Sequence, residues 1–372
     1  MTCHVKCDKF LIKKSELNLK MDKLKTKILL ISLLLVLLVS LQGVSATTDD
    51  NGNLTSESID LSICDNTDDA NPDKLSTADT SNGQEEVLST TPTPFSELYK
   101  EIATGGKYIE LKHDYYAYEE GDLTIEIYDD IVIDGKGAVI DMAESNIMAF
   151  YINSHYGVTI KNLTIKNVNY DGKGGAIYFY ESSYVNITCC NFINNTASDG
   201  GAIYFERNCH MNAVTNCNFA DNKATFGFGG AIYIDDSASV ENCNFTNNIA
   251  SGYAGAINIG EGSVENCNFI NNSANYGGAI RFSSKGTVTN CSFTDNSADY
   301  GGAIFAPQAS VENCNFTVNT ANIQGGAIYM GTCSVENCNF TDNTASGDGG
   351  AIFFTYDGNV TNCNFTGNNA GI

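Results

Sequence analysis

The sequence predicts an all-β fold, a right-handed parallel β-helix of about 24 residues per coil with three short strands in each coil. Two recurring motifs predict it. A Gly-Gly-Ala-Ile segment, Ala-Gly-Ala-Ile in one copy, occurs eight times, and an Asn-Cys-Asn-Phe segment, exact in most copies, lies after each one. The motif alanines are Ala176, Ala202, Ala231, Ala256, Ala279, Ala303, Ala327 and Ala351, and the motif cysteines are Cys190, Cys217, Cys243, Cys267, Cys291, Cys314, Cys338 and Cys363.

One coil shows how the motifs become strands. Val240, Cys243 and Phe245 are predicted to point inward from two short strands that meet at Asn242. Asparagine accepts left-handed backbone geometry and bonds to nearby amides, which suits it to a tight corner. Equivalent corner asparagines are Asn216, Asn266, Asn290, Asn313, Asn337 and Asn362.

The rest of the coil supplies the third strand. A second turn is predicted at Asn248, an inward side chain at Ala250, and the third strand at residues 256–259. Stacked coils would place identical residues above one another at about 4.8 Å. A leucine-rich-repeat solenoid would need a leucine consensus, and a propeller would need about 40 residues per blade, so neither fits.

The N-terminal segment predicts export. Residues 1–46 are interpreted as a signal peptide, because the apolar run at residues 28–41 follows lysines and ends at small residues before Ala46. Met21 is the more typical start of such a signal. A retained membrane anchor is the alternative, but the run has about 14 residues where a span needs roughly 20. The mature chain is therefore predicted to be secreted to the cell surface, with no stable membrane span.

Between the signal and the repeats, residues 47–94 predict a disordered acidic linker. A short helix should follow, with Thr93 as its N-cap and Pro94 at its first position. This helix would cap a β-helix domain at residues 95–372, with regular repeats from residue 158. Its apolar face would comprise Phe95, Leu98, Tyr99 and Ile102.

Charge and metal-ligand patterns exclude two classes of function. The formal net charge of −24 argues against a nucleic-acid partner, which needs cationic side chains for its phosphates. Cys3, His4 and Cys7 resemble half of a metal site, but no second pair follows at the required spacing. No cofactor or metal is therefore expected.

The repeats resemble known surface proteins. Gly-Gly-Ala-Ile followed by Phe-x-x-Asn is similar to the repeats of chlamydial polymorphic outer-membrane proteins. Residues 133–141 (IDGKGAVID) and 157–167 (GVTIKNLTIKN), followed by the repeats, resemble adhesin-like surface proteins of methanogenic archaea. The resemblance implies surface display and contact with glycans or proteins of other cells. A passive wall component with no specific ligand is a further interpretation.

A polysaccharide lyase or glycosidase is the rival hypothesis, because right-handed β-helices include such enzymes. Catalysis needs an irregular coil where carboxylates meet a basic residue. Asp235 and Asp236 form an acidic pair, but the sequence suggests no basic or histidine partner nearby. The charged residues of the irregular coils at 107–157 are too scattered to indicate a mechanism. We expect no catalytic residues and a non-enzymatic protein.

Three sets of residues are candidates for surface chemistry or modification. Outward tyrosines after the motif isoleucine could stack on sugar rings, although strand propensity alone explains them; these are Tyr178, Tyr204, Tyr233 and Tyr329. The motif cysteines are expected to be free buried thiols rather than disulfides, because stacked Cβ atoms are too far apart. N-glycosylation sequons occur at Asn162, Asn186, Asn194, Asn244, Asn271, Asn290, Asn315, Asn339, Asn359 and Asn364.

Overall fold

The computed structural model describes residues 92–155 and 157–371. The predicted signal peptide (1–46) and nearly all of the predicted linker (47–94) lie outside these residues, as does the Cys3, His4 and Cys7 cluster. The described part is a parallel β-solenoid of about 12 turns with about 24 residues per coil. The predicted fold class is confirmed, with a few more coils than the regular motifs alone indicate.

Three parallel faces build the solenoid, and we name them after the residue that each buries. The Ile face contains the strands that follow the Gly-Gly-Ala motif, as when Ile203 pairs with Ile232. Its strands are Ile125–Ile127, Phe150–Ile152, Ile177–Phe179, Ile203–Phe205, Ile280–Phe282 and Ile352–Phe354, with the first parts of Ile232–Glu241, Ile257–Glu265, Ile304–Glu312 and Ile328–Glu336.

The Val face continues from the Ile face, and four long strands run across both. Val240 pairs there with Val214 and Val264 of the neighbouring coils. The remaining strands of this face are Tyr108–Glu110, Asn186–Thr188, Asn212–Thr215, Lys285–Thr289 and Gly358–Thr361, with the first parts of Ile131–Ser145 and Val158–Val168.

The Phe face follows the corner asparagines, and a short fourth ladder follows the Phe face. On the Phe face are Thr93–Pro94, Tyr115–Ala117, Asn191–Ile193, Asn218–Ala220, Asn244–Thr246, Asn268–Ile270, Ser292–Thr294, Asn315–Thr317, Asn339–Thr341 and Asn364–Thr366, with the second parts of Ile131–Ser145 and Val158–Val168. In the fourth ladder are Thr196–Ala197, Lys223–Ala224, Ile249–Ala250, Ser297–Tyr300, Thr320–Gln324, Thr344–Ala345 and Asn369–Ala370.

The helix spans Phe95–Thr104 and buries Phe95 and Leu98 in the core, as predicted. Its start was predicted wrongly. Thr93 and Pro94 are extended and pair with the strand Tyr115–Ala117, so Pro94 rather than Thr93 is the N-cap and no side chain caps the helix. Strand pairing with the first coil thus overrides the capping signal.

One predicted apolar residue of the helix is also exposed. Tyr99 is 53 % exposed, whereas the carboxylate of Glu101 is buried. Glu101 Oε2 accepts hydrogen bonds from the Tyr116 hydroxyl and the Lys112 backbone N–H, both at 3.1 Å. These bonds compensate for the desolvation of the carboxylate and join the helix to the first coils.

The predicted inward and outward alternation and the predicted corner are confirmed. Val240, Cys243 and Phe245 are buried, and Asn242 has φ 54. The second turn is displaced by one residue from its predicted position. Asn247, not Asn248, takes the left-handed conformation, with φ 58, and the Asn248 side chain is buried in the core.

The residues equivalent to Asn248 form a buried amide ladder. Asn248 Nδ2 donates to Asn272 Oδ1 and to the Phe219 carbonyl, both at 3.0 Å, while its own Oδ1 accepts from the backbone N–H and Nδ2 of Asn222. Both amide hydrogens and the oxygen are therefore satisfied, as burial of a polar group requires. The ladder comprises Asn195, Asn222, Asn248, Asn272, Asn296, Asn319, Asn343 and Asn368.

The buried phenylalanines and cysteines form parallel ladders of their own. Phe245 and Phe269 have ring centroids 4.9 Å apart with an interplanar angle of 5°. Cys243 Sγ accepts from the Cys217 backbone N–H at 3.4 Å, and its thiol donates to the Glu241 carbonyl at 3.2 Å. The motif cysteines are free thiols, as predicted. Burial raises the pKa of Cys243 and of Cys267 well above the usual range.

Replacing Asn272 with alanine should destabilise the β-helix by about 3 kcal/mol or more, because it leaves buried polar groups of the neighbouring coils without partners. Asn368→Ala is the matched control, since Asn368 is the last, partly exposed member of the ladder. Urea unfolding followed by circular dichroism measures both. Equal, small losses for the two variants would contradict the structural role of the amide ladder.

The core thiols should resist modification in the folded protein. Burial raises the pKa of Cys217, Cys243 and Cys267 and keeps these thiols neutral at pH 8, and only a thiolate reacts with a disulfide reagent. Cys333 and Cys363, which are partly exposed, should react first, and the buried thiols should react only in urea. Because the folded state raises the pKa of these thiols, the free energy of unfolding should also depend on pH. The contribution of the buried thiols is fully present below the unfolded thiol pKa of about 8.5 and falls as the pH rises above it. Equally rapid modification of Cys267 and Cys363 would contradict this.

Candidate functional site

The outer surface of the Ile face carries a column of aromatic rings. It contains the residue that follows the motif isoleucine, and neighbouring rings stack nearly parallel. The Tyr178 and Tyr204 centroids are 5.2 Å apart, and those of Tyr204 and Tyr233 are 4.5 Å apart. We call this set column 1: Tyr151, Tyr178, Tyr204, Tyr233, Phe305, Tyr329 and Phe353.

The stacking changes what the predicted tyrosines can offer a ligand. Tyr204 is only 4 % exposed, because the rings of Tyr178 and Tyr233 cover its two faces. Tyr204 therefore offers no ring face on which a sugar could stack. Tyr178 and Tyr233 are partly exposed and present edges and hydroxyls. Tyr329 also lies apart from the other three and stacks between Phe305 and Phe353.

A second column lies beside the first. Its rings stack at 4.8 to 5.2 Å, and it meets column 1 edge to face, with Tyr276 5.3 Å from Phe305 and Tyr300 5.3 Å from Tyr329. Sequence reasoning missed it, although its signal is an aromatic residue directly before Gly-Gly or Ala-Gly. Column 2 comprises Phe228, Tyr253, Tyr276 and Tyr300.

Ionisable residues surround column 1 near Tyr204. Lys173 Nζ donates to the Tyr204 hydroxyl at 2.9 Å and lies 4.7 Å from its ring centroid. Burial raises the pKa of Tyr204 to about 12. Asp199 accepts from the Phe228 backbone N–H at 3.0 Å, and burial raises the pKa of its carboxyl.

The acidic pair after Tyr233 does have basic partners, contrary to the prediction. Arg207 Nε lies 2.8 Å from Asp235 Oδ2, and His210 Nδ1 lies 3.9 Å from Asp236 Oδ2. The interval from Ala202 to Ala231 is the longest between motifs. Its extra residues bring Arg207 and His210 within reach of the acidic pair in the next coil. Sequence spacing alone does not show this contact because it crosses coils.

Comparison with protein families agrees with this architecture. A model described as "Right handed beta helix region" matches residues 122–263 and 231–372. The chain belongs to the right-handed β-helix family. This fold occurs in enzymes and in proteins without catalytic activity. No curated protein and no solved structure matches this β-helix protein.

The irregular first coils of the β-helix contain ion-paired carboxylates. Lys161 Nζ lies 3.0 Å from Asp134 Oδ2, and Asn162 Nδ2 donates to Asp134 Oδ1 at 3.0 Å. Burial by itself would raise the pKa of Asp134, but these hydrogen bonds outweigh it and lower the pKa. Asp134 is thus held ionised and is not suited to donate a proton. Lys136 pairs with both Asp134 and Glu110.

The sequon asparagines differ in how their amide nitrogens are used. Nδ2 of Asn244 donates to Asn218 Oδ1 at 2.8 Å, within an outer amide ladder. Asn162, Asn194, Asn271, Asn339 and Asn359 also donate to other side chains. In contrast, three exposed sequon asparagines donate no side-chain hydrogen bond to a described residue: Asn290, Asn315 and Asn364.

Within residues 92–155 and 157–371, no group of three or more His, Cys, Asp or Glu side chains is arranged to hold a metal ion. Across the same residues, no helix has the length and apolar character needed to cross a bilayer. The apolar run at residues 28–41 lies outside the part of the chain that the structure describes.

Proposed function

We propose that this β-helix protein is a secreted, surface-displayed adhesin-like protein that binds glycans, or proteins of other cells, through the Ile face. The observation that supports this most is the pair of aromatic columns, which continues over successive coils on the outside of the solenoid. Tyrosine suits such a face because it combines apolar contact area with a polar hydroxyl. The ring edges and hydroxyls, rather than the ring faces, would contact the ligand.

Three further observations favour surface display. The apolar run at residues 28–41 has the composition of a secretory signal. The Gly-Gly-Ala-Ile and Phe-x-x-Asn repeats resemble those of chlamydial and archaeal surface proteins. The strongly acidic composition keeps an exported protein soluble and disfavours binding to nucleic acid.

A polysaccharide-cleaving enzyme is the second candidate. Asp199 has a raised pKa, and Asp235 is paired with Arg207 on the same stretch of column 1. Both carboxylates act electrostatically on Tyr204. Glycoside hydrolysis uses a pair of carboxyl groups, one of which has a raised pKa and acts as the acid. The adhesive function is preferred because the aromatic columns extend far beyond these residues.

The test is binding of the purified full chain to panels of polysaccharides, glycans and whole cells, with the same samples assayed for released sugars. A double Tyr178→Phe, Tyr233→Phe variant removes the hydroxyls of two partly exposed rings and keeps the stack. We expect its affinity to fall about tenfold or more, as loss of one to two good hydrogen bonds implies.

A matched control is the variant Tyr99→Phe, Tyr184→Phe, whose hydroxyls lie on exposed residues outside both columns. It should bind as the wild type does. Sugar release that is lost in Asp199→Asn would favour the enzyme instead. Absence of both binding and release would support a passive wall component and would overturn the proposed function.

Glycosylation of the exported chain should follow the availability of the amide nitrogens. Asn290 and Asn364 should be occupied, whereas Asn162, whose Nδ2 bonds to Asp134, should not be. Intact mass and glycopeptide mapping of native protein measure this. A native mass equal to the bare polypeptide would contradict the expectation of a glycoprotein.

A further inference from the structure

Column 1 is interrupted at two successive coils. The strand register places Asn258 beside Tyr233 and Arg281 beside Asn258, and the aromatic series resumes at Phe305. Asn258 is short and buried, so it leaves room on the outer side of the column. Arg281 is the residue that enters this space.

Arg281 is held in a defined position between the columns. Its guanidinium carbon lies 4.6 Å from the Tyr253 ring centroid and 5.9 Å from that of Phe228, so it packs on the rings of column 2. Nη1 donates to Asn258 Oδ1 at 2.9 Å and to Ser283 Oγ at 2.7 Å. These contacts orient the guanidinium before any ligand arrives.

The remaining donors of Arg281 have no partner within the described residues. Nε is buried without a hydrogen bond, and Nη2 donates to no described side chain or carbonyl. No carboxylate of the described chain lies within 4 Å of Arg281, whereas Arg207 pairs with Asp235. Leaving the donors of a partly desolvated guanidinium unpaired costs free energy, and an anion that accepts hydrogen bonds from them would remove that cost. Burial lowers the pKa of Arg281, which agrees with this environment.

We infer that Arg281, with Asn258 and Ser283, is a subsite for an anionic group of a glycan, a carboxylate or a sulfate, whose sugar ring lies along the edges of Tyr233 and Phe305. Guanidinium donors match the oxygen geometry of such groups. This inference rests on the proposed glycan binding and specifies the class of glycan.

The charge of the whole protein makes the subsite testable. With a formal net charge of −24, the chain should repel polyanions in general, and added salt screens that repulsion. Preference for an acidic glycan must therefore come from a local cation. Arg281 is the candidate because its charge is not compensated by a neighbouring carboxylate.

The experiment measures affinities of the full chain for a polyuronate, a sulfated dextran and neutral dextran. The variants are Arg281→Gln, which retains a side chain able to bond to Asn258 and Ser283, and Arg281→Lys, which retains charge without the planar donors. Lys223→Gln is the control, because that lysine is exposed and lies on the fourth ladder rather than on the Ile face. Circular dichroism and urea unfolding verify that each variant folds.

We expect at least one acidic polymer to bind more tightly than neutral dextran. Tighter binding of the polyuronate would identify the anionic group as a carboxylate, and tighter binding of the sulfated dextran would identify it as a sulfate. Arg281→Gln should weaken acidic binding about tenfold and leave neutral binding unchanged, with Arg281→Lys intermediate and Lys223→Gln unaffected. Neutral binding without any acidic preference, or acidic binding unchanged in Arg281→Gln, would overturn the subsite alone. Failure of every glycan to bind the wild type would overturn the proposed function as well.

Discussion

The structure depends on the in-register stacking of parallel coils, which brings each residue next to its own equivalent one coil away. Parallel strands are separated by about 4.8 Å, and a repeat of about 24 residues keeps that alignment from coil to coil. Each inward position of the regular repeat must therefore be occupied by a side chain that packs well on a copy of itself. Phenylalanine does so by ring stacking, and asparagine does so by passing hydrogen bonds from amide to amide.

The same constraint acts inside and outside the solenoid with opposite consequences for binding. Inside, stacking satisfies Asn248 and Cys243 and keeps them from solvent. Outside, it places Tyr204 between two other rings and removes its faces from a ligand's reach. An interruption of the outer stack is therefore where ligand chemistry can differ from coil to coil. Asn258 and Arg281 form that interruption in column 1.

The fold was predictable because its motifs repeat, and local errors arose where contacts cross coils. The inward pattern of Val240, Cys243 and Phe245 follows from alternation alone. The sequence does not distinguish the buried Asn248 from a corner asparagine such as Asn247, because only the ladder geometry separates the two roles. The partner of Asp235 was missed because Arg207 reaches it from the preceding coil. Column 2 had a readable signal, the aromatic residue before the motif glycines.

A crystal structure of the β-helix with a bound oligosaccharide would show directly which face binds glycan. We expect the sugar to lie on the Ile face, against tyrosine edges and hydroxyls, while the stacked rings of column 1 keep their spacing of about 5 Å. Sugar bound on the Val or Phe face, or inserted between separated rings of column 1, would contradict this expectation.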